Sequence, residues 1–185
     1  MILYGIKQVK LTELDPSTGA VKAEKPITTV ISTAEEAELT PVLSEGSEEV
    51  LRSSTKILAV VREDDLLYGI DLKLTDNTFD EKCATLVAGY KATEKPEGTV
   101  TKLSTPMMSE GNIGKPFKCE IWVAQYEGDA IVGYVKITLN KCTGKFPTMK
   151  VGKEFYAPEF EIKARENTKA SKPIQDMEFV DSLES

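Results

Sequence analysis

Residues 117–139 read FKCEIWVAQYEGDAIVGYVKITL, and this stretch decides the fold class. Phe117, Cys119, Ile121 and Val123 fall on one face of an extended chain, and Glu120, Trp122, Ala124 and Tyr126 on the other. Glu127-Gly128-Asp129 supplies a turn, with glycine free to take positive φ. Beyond it Ile131, Gly133, Val135, Ile137 and Leu139 lie on one side, with Val132, Tyr134, Lys136 and Thr138 on the other. Period-two alternation on both sides of a short turn predicts an antiparallel hairpin.

Period two continues through most of the chain. From Leu66 to Thr75, Tyr68, Ile70, Leu72 and Leu74 share a face. The run Ile57-Leu58-Ala59-Val60-Val61 before it is apolar on both sides, as in a central or interface strand. With Asp64-Asp65 as a turn signal, the two runs are expected to pair as a hairpin. Further strands are expected at Tyr4–Leu14, Glu36–Leu43, Thr99–Leu103, Glu154–Arg165 and Gln175–Val180. One segment departs from this period. Thr78 as N-cap with Glu81 three residues on forms a capping box, Phe79, Cys83, Leu86 and Val87 recur at helical spacing, and Gly89 suits a helix C-cap. An amphipathic helix of about three turns is expected there, its apolar stripe covering a sheet face.

The fold class that follows is mainly β (α+β): a β-sandwich with one flanking helix, as one domain over residues 1–185. Ser44–Thr55 reads as a polar loop and residues 166–185 as an acidic C-terminal arm, each either a plain flexible segment or one that orders only against a neighbouring subunit.

Composition narrows the function. The 185 residues carry 41% hydrophobic and 29% charged side chains with a formal net charge of −7, a poor balance for gripping nucleic-acid phosphates. The sequence has no apolar run of membrane-spanning length, and Met1–Lys7 lacks the layout of a secretory leader, so cytoplasmic synthesis is expected. Cys83, Cys119 and Cys142 have no metal-ligand spacing and are expected to be buried thiols. Without a single His, the commonest general base and the Ser-His and Cys-His nucleophile pairs are missing, so a non-enzymatic role is expected, with no cofactor and no metal. Gly111-Asn112-Ile113-Gly114-Lys115 imitates a phosphate loop without its spacing, and Asp71 with Asp76-Asn77 lacks the ligand rhythm of a calcium loop. Glu35, Glu36, Glu38, Glu45, Glu48 and Glu49 form an acidic stretch that is a solvated face, a channel lining or a surface pairing with a basic partner.

The surplus of two-sided strands is the main functional signal. Trp122 and Tyr126 oppose Cys119, Ile121 and Val123, and Ile57–Val61 and Ile131-Val132 pose the same problem of a second apolar face needing cover. Either the helix or another protein must supply that cover; self-association is the reading the surplus favours, with Ile57, Val60, Trp122, Tyr126, Val132, Glu48 and Glu49 as candidate interface residues. The alternative is a soluble β-sandwich binding module for a carbohydrate or cell-surface ligand, with Trp122, Tyr126 and Tyr134 as an aromatic platform. A carboxylate-based hydrolase ranks behind both, for no spacing supports it.

Several stretches, taken in order, resemble the major tail proteins of long-tailed bacteriophages: Val60–Leu72, Leu74–Asp80 running into the helix and Gly89, Ile121–Asp129 with Ile131–Tyr134, and Glu154–Arg165. The resemblance implies a virion protein whose hexameric rings stack into a hollow tail tube, the conduit for DNA ejection. It also implies tape measure, tail terminator and baseplate or tip proteins as partners, and passage of DNA without specific binding. Bridging between rings would fall to the Ser44–Thr55 loop and the terminal arms. Glu120, Glu127 and Asp129 are candidates for an acidic lumen that repels phosphates over roughly 10 Å at 0.1 M salt.

Overall fold

A computed structural model describes residues 2–54, 56–95, 100–107, 109, 114–148 and 157–183. In chain order its elements are β1 (Ile2–Glu13), β2 (Thr28–Ile31), β3 (Ala34–Ser44), β4 (Glu48–Ser53), β5 (Lys56–Arg62), β6 (Leu66–Asp76), α1 (Glu81–Ala88), β7 (Lys91–Glu94), β8 (Val100–Ser104), β9 (Phe117–Glu127), β10 (Ala130–Gly144), β11 (Glu159–Ala164) and β12 (Gln175–Val180). The chain is mainly β with antiparallel pairing and one short helix, as its periodicity indicates. β2, β4 and β7 were not foreseen. The expected strand at 154–165 is β11, with residues 154–156 outside the described residues, as is Thr99 before β8.

The β9–β10 hairpin forms in the expected register, with Ile121 opposite Ile137 and Cys119 opposite Leu139. Gly128 turns it with φ +61°. From this hairpin the main sheet extends in the order β2-β1-β9-β10-β11-β6-β3, and β12 also pairs with β10. A register shift between Leu139 and Cys142 makes a corner, at which Cys142 pairs with both Phe117 and Ala164. The two halves of one continuous sheet therefore face each other across a single core, and β3 comes back against β1. Val9 and Leu11 of β1, Cys119 and Ile121 of β9, Leu72 and Leu74 of β6, and Phe160 and Ile162 of β11 all point into it.

The helix covers this core from one side with Cys83, Leu86 and Val87. It sits so close to β10 that Gly144 has no room for a side chain against Val87. Gly89 caps its C-terminus in the left-handed region, φ +70°, as expected. The N-terminus differs from the sequence reading. Asp80, not Thr78, is the N-cap, its Oδ1 accepting from the Cys83 N–H at 2.6 Å. Thr78 is engaged instead by Asp76 and Thr33 in the bend that precedes the helix, and Asp80 is extended. The helix is thus eight residues, about two turns, and Phe79 lies outside it and is exposed.

Candidate assembly surface

The expected hairpin between Ile57–Val61 and Leu66–Thr75 does not form. β6 pairs with β3 down to Leu66 opposite Ser44, and β5 pairs with β4 from Glu48 opposite Arg62 to Ser53 opposite Lys56. The second ladder continues the first. Between them the Glu63 N–H donates to the Ser47 carbonyl at 2.9 Å, and the Gly46 N–H donates to Asp65 Oδ1 at 2.8 Å. Glu63-Asp64-Asp65 is therefore a joint opposite Glu45-Gly46-Ser47 rather than a turn. Nor is Ser44–Thr55 a loop: Glu48–Ser53 is one strand of a ribbon, and Thr55 lies outside the described residues. Six residues of β4 span about 20 Å beyond the body of the sheet.

Both faces of this arm carry exposed apolar side chains among charged ones. The register sets Glu48, Val50, Val60 and Arg62 on one face and Glu49, Leu51, Ala59 and Val61 on the other. At the shift opposite Leu51 and Arg52, Leu58 is the extra residue, and Ile57 joins the Val50–Val60 face. Every residue of β5 is exposed, Ile57 by 60%, Val60 by 53% and Val61 by 64%. Glu48 and Glu49 are exposed near the base of the arm. Ile57 and Val60 thus stand on open surface, as expected of interface residues. Leu51, which the sequence reading passed over, belongs with them. Its signal was present: Val50-Leu51 and Ile57–Val61 flank a polar Ser53-Ser54-Thr55 centre.

A second apolar surface lies at the β9–β10 turn. Ile2, Leu3 and Tyr4 run beside β9, and Ile131 and Val132 follow the turn, all exposed. Tyr126 is half-buried and meets Tyr4 edge to face, ring centroids 6.3 Å apart. Glu127 and Asp129 are exposed at the turn itself. Residues 175–180 are not part of a free arm. They are β12, laid along β10 with Phe179 opposite Val135, Met177 opposite Ile137, and both apolar side chains exposed. Asn167 fixes the approach to it, donating to the Gly19 carbonyl at 2.8 Å.

Two site residues read from the sequence do not lie at a surface. Trp122 is 0% exposed, set between its register partners Gln8 and Lys136, with the Lys136 ammonium 5.6 Å from the ring centroid. It is a packing residue of the subunit, not an interface residue, and the aromatic platform loses its centre. Glu120 is likewise buried, paired with Lys118 at 2.9 Å and Lys136 at 3.3 Å. A buried carboxylate requires such partners, and with them it presents no free charge to a lumen.

The remaining ionisable groups are structural. Burial pushes the thiols of Cys83, Cys119 and Cys142 up, so they stay protonated as small hydrophobes. Asp71 pairs with Arg165 at 3.3 Å, and Asp76 accepts from Thr33 Oγ1 at 2.6 Å. Lys115, from the phosphate-loop imitation, pairs with Glu13 at 3.2 Å; residues 111–113 are outside the described residues. Among the described residues no group of three or more His, Cys, Asp or Glu could hold a metal ion. Among the described residues no helix is long and apolar enough to cross a membrane. No protein-family model matches the chain, and no curated protein matches it.

Proposed function

We propose that this chain is a structural subunit that assembles with copies of itself, in hexameric rings stacked into the tail tube of a long-tailed bacteriophage. The observation that carries the reading is the β4–β5 arm, which exposes apolar side chains on both faces: Ile57 and Val60 on one, Leu51 and Val61 on the other. An isolated two-stranded ribbon is at best marginally stable in water, so this one needs protein on both sides. The ring, tube, virion location and DNA conduit come from the resemblance of the sequence to major tail proteins. A heterologous contact repeated around a ring and then along a stack supplies the cover that the arm needs. Tape measure, terminator and baseplate proteins are the further partners of such a tube.

Negative-stain microscopy and sedimentation of the purified chain across a concentration series test this. Dilute protein is expected as subunits or small rings and concentrated protein as hollow tubes. Compact monomers at every concentration would sink the proposal.

A further inference from the structure

The edges of the sheets are unequally guarded. β2 has four residues, β3 carries Pro41, and β1 beyond β2 is broken by two register shifts around Gly5. Short length, proline and bulges each discourage pairing by another chain. β12 has none of these: it runs with β10 over six residues without a register shift, and no described strand pairs with its far edge. Met177 and Phe179 on it are 60% and 69% exposed.

We infer that the open edge of β12 receives β5 of the arm from a second copy, an inference that rests on the self-assembly reading above. Charge selects the pair. β12 against itself, antiparallel with faces matched, sets Asp176 opposite Glu178 or Glu178 opposite its own copy, which like charges oppose. β4 would bring Glu48 and Glu49 to the same acids. β5 instead carries Lys56 and Arg62 and no acid. In one antiparallel register Arg62 faces Asp176, Val61 faces Met177 and Ala59 faces Phe179. This register uses the straight part of β5, sets Val60 opposite Glu178, and brings the Leu58 bulge only to Val180, the last residue of β12. Asp176 uses Oδ2 to accept from Asn140 at 2.7 Å, which leaves Oδ1 for the guanidinium; Glu178 keeps its contact with Lys136 at 3.3 Å. The contact is heterologous, so it propagates rather than closing a pair.

Cysteine cross-linking tests the register, because directly opposed antiparallel residues lie within disulfide reach. The full chain is made with Met177→Cys, with Val61→Cys, and with both. Oxidation should give a ladder of multimers from the double variant and cross-linked pairs from a mixture of the single ones. Each single variant alone should give no more than the wild type, whose thiols are buried. Arg62→Asp in the double variant should cut the ladder at least tenfold, and adding Asp176→Arg should restore it. Dimers from Met177→Cys alone, or no ladder from protein that microscopy shows in tubes, would overturn this pairing and leave the assembly reading standing. Protein that stays monomeric throughout would overturn both.

Discussion

Val60→Ala and Val61→Ala separate an arm that exists to be covered from one that is merely exposed. The two side chains lie on opposite faces of the ribbon, exposed by 53% and 64%. Each substitution removes two carbon groups, worth about 0.8 kcal/mol apiece when fully buried. Just over half of that surface is open in the subunit, so assembly that covers it loses about 1 kcal/mol per contact. That corresponds to about a fivefold rise in the critical concentration for polymerisation, and about 25-fold for the double variant if the faces act independently. Folding of the subunit should hardly change, within about 0.5 kcal/mol, because exposed positions contribute little to it. Light scattering gives the critical concentration, and denaturant unfolding of dilute protein, followed by Trp122 fluorescence, gives the stability. If both variants leave the critical concentration unchanged, the arm is not the assembly element. If only one responds, cover comes from one side alone. If the unfolding midpoint moves as much as the critical concentration, these valines are packed within the subunit and the reasoning fails.

Trp122→Ala should do the reverse, costing about 3–5 kcal/mol of subunit stability by opening a cavity. Whatever folded protein remains should polymerise at the wild-type concentration, measured by sedimentation. Asp80→Ala removes the helix cap and should lower stability by about 1 kcal/mol in denaturant unfolding, with Asp80→Asn retaining much of it. Glu13 supplies a pH dependence. Burial pushes its carboxyl up, but the Ile27 N–H and the ammonium groups of Lys22 and Lys115 outweigh this and hold it below the ordinary 4.5. Its contribution is therefore fully present above pH 4.5 and is lost as pH falls through the lower folded value. At pH 7 Glu13→Gln should be less stable by about 2 kcal/mol, as for hydrogen bonds to a buried charge. That gap to the wild type should shrink in acid, and a gap constant from pH 7 to pH 3 would refute the assignment.

Local alternation made the β9–β10 hairpin legible because its turn, register and core face all lie within a short stretch. The bounds of β12 were readable for the same reason. The arm was not. Asp64-Asp65 carries turn chemistry, but its partners Gly46 and Ser47 are acting as a joint in a longer ladder, and sequence alone does not tell a joint from a turn. The β4 strand was hidden by its acids and serines, since Val50-Leu51 is too short to show a period. Trp122 was misplaced by an assumption about sheets. A second apolar face does not need another subunit where cross-strand neighbours cover it, and those of Trp122 include Lys136, whose ammonium lies over the ring. The same lysine neutralises Glu120. One long side chain thus removed both a candidate interface residue and a candidate lumen charge.

With Trp122 sealed, the case for self-association rests on the exposed apolar side chains of the arm, the β9–β10 turn and β12, and the arm is the most informative because it carries them on both faces. A ribbon bound for a lipid barrel alternates, with one face toward lipid and the other toward a polar lumen, over strands of about ten residues. Here Val50, Ile57 and Val60 share one face and Leu51 and Val61 the other, on strands of six and seven residues. A ribbon resting on its own subunit would bury one of those faces, and neither is buried. Protein on both sides satisfies the pattern. The charges along it agree: Glu48 and Glu49 keep the outer edge of β4 from acidic neighbours, while Lys56 and Arg62 leave β5 open to them. An arm with one repelling and one accepting edge takes a partner strand on one side only, which is what a directional, repeating assembly requires.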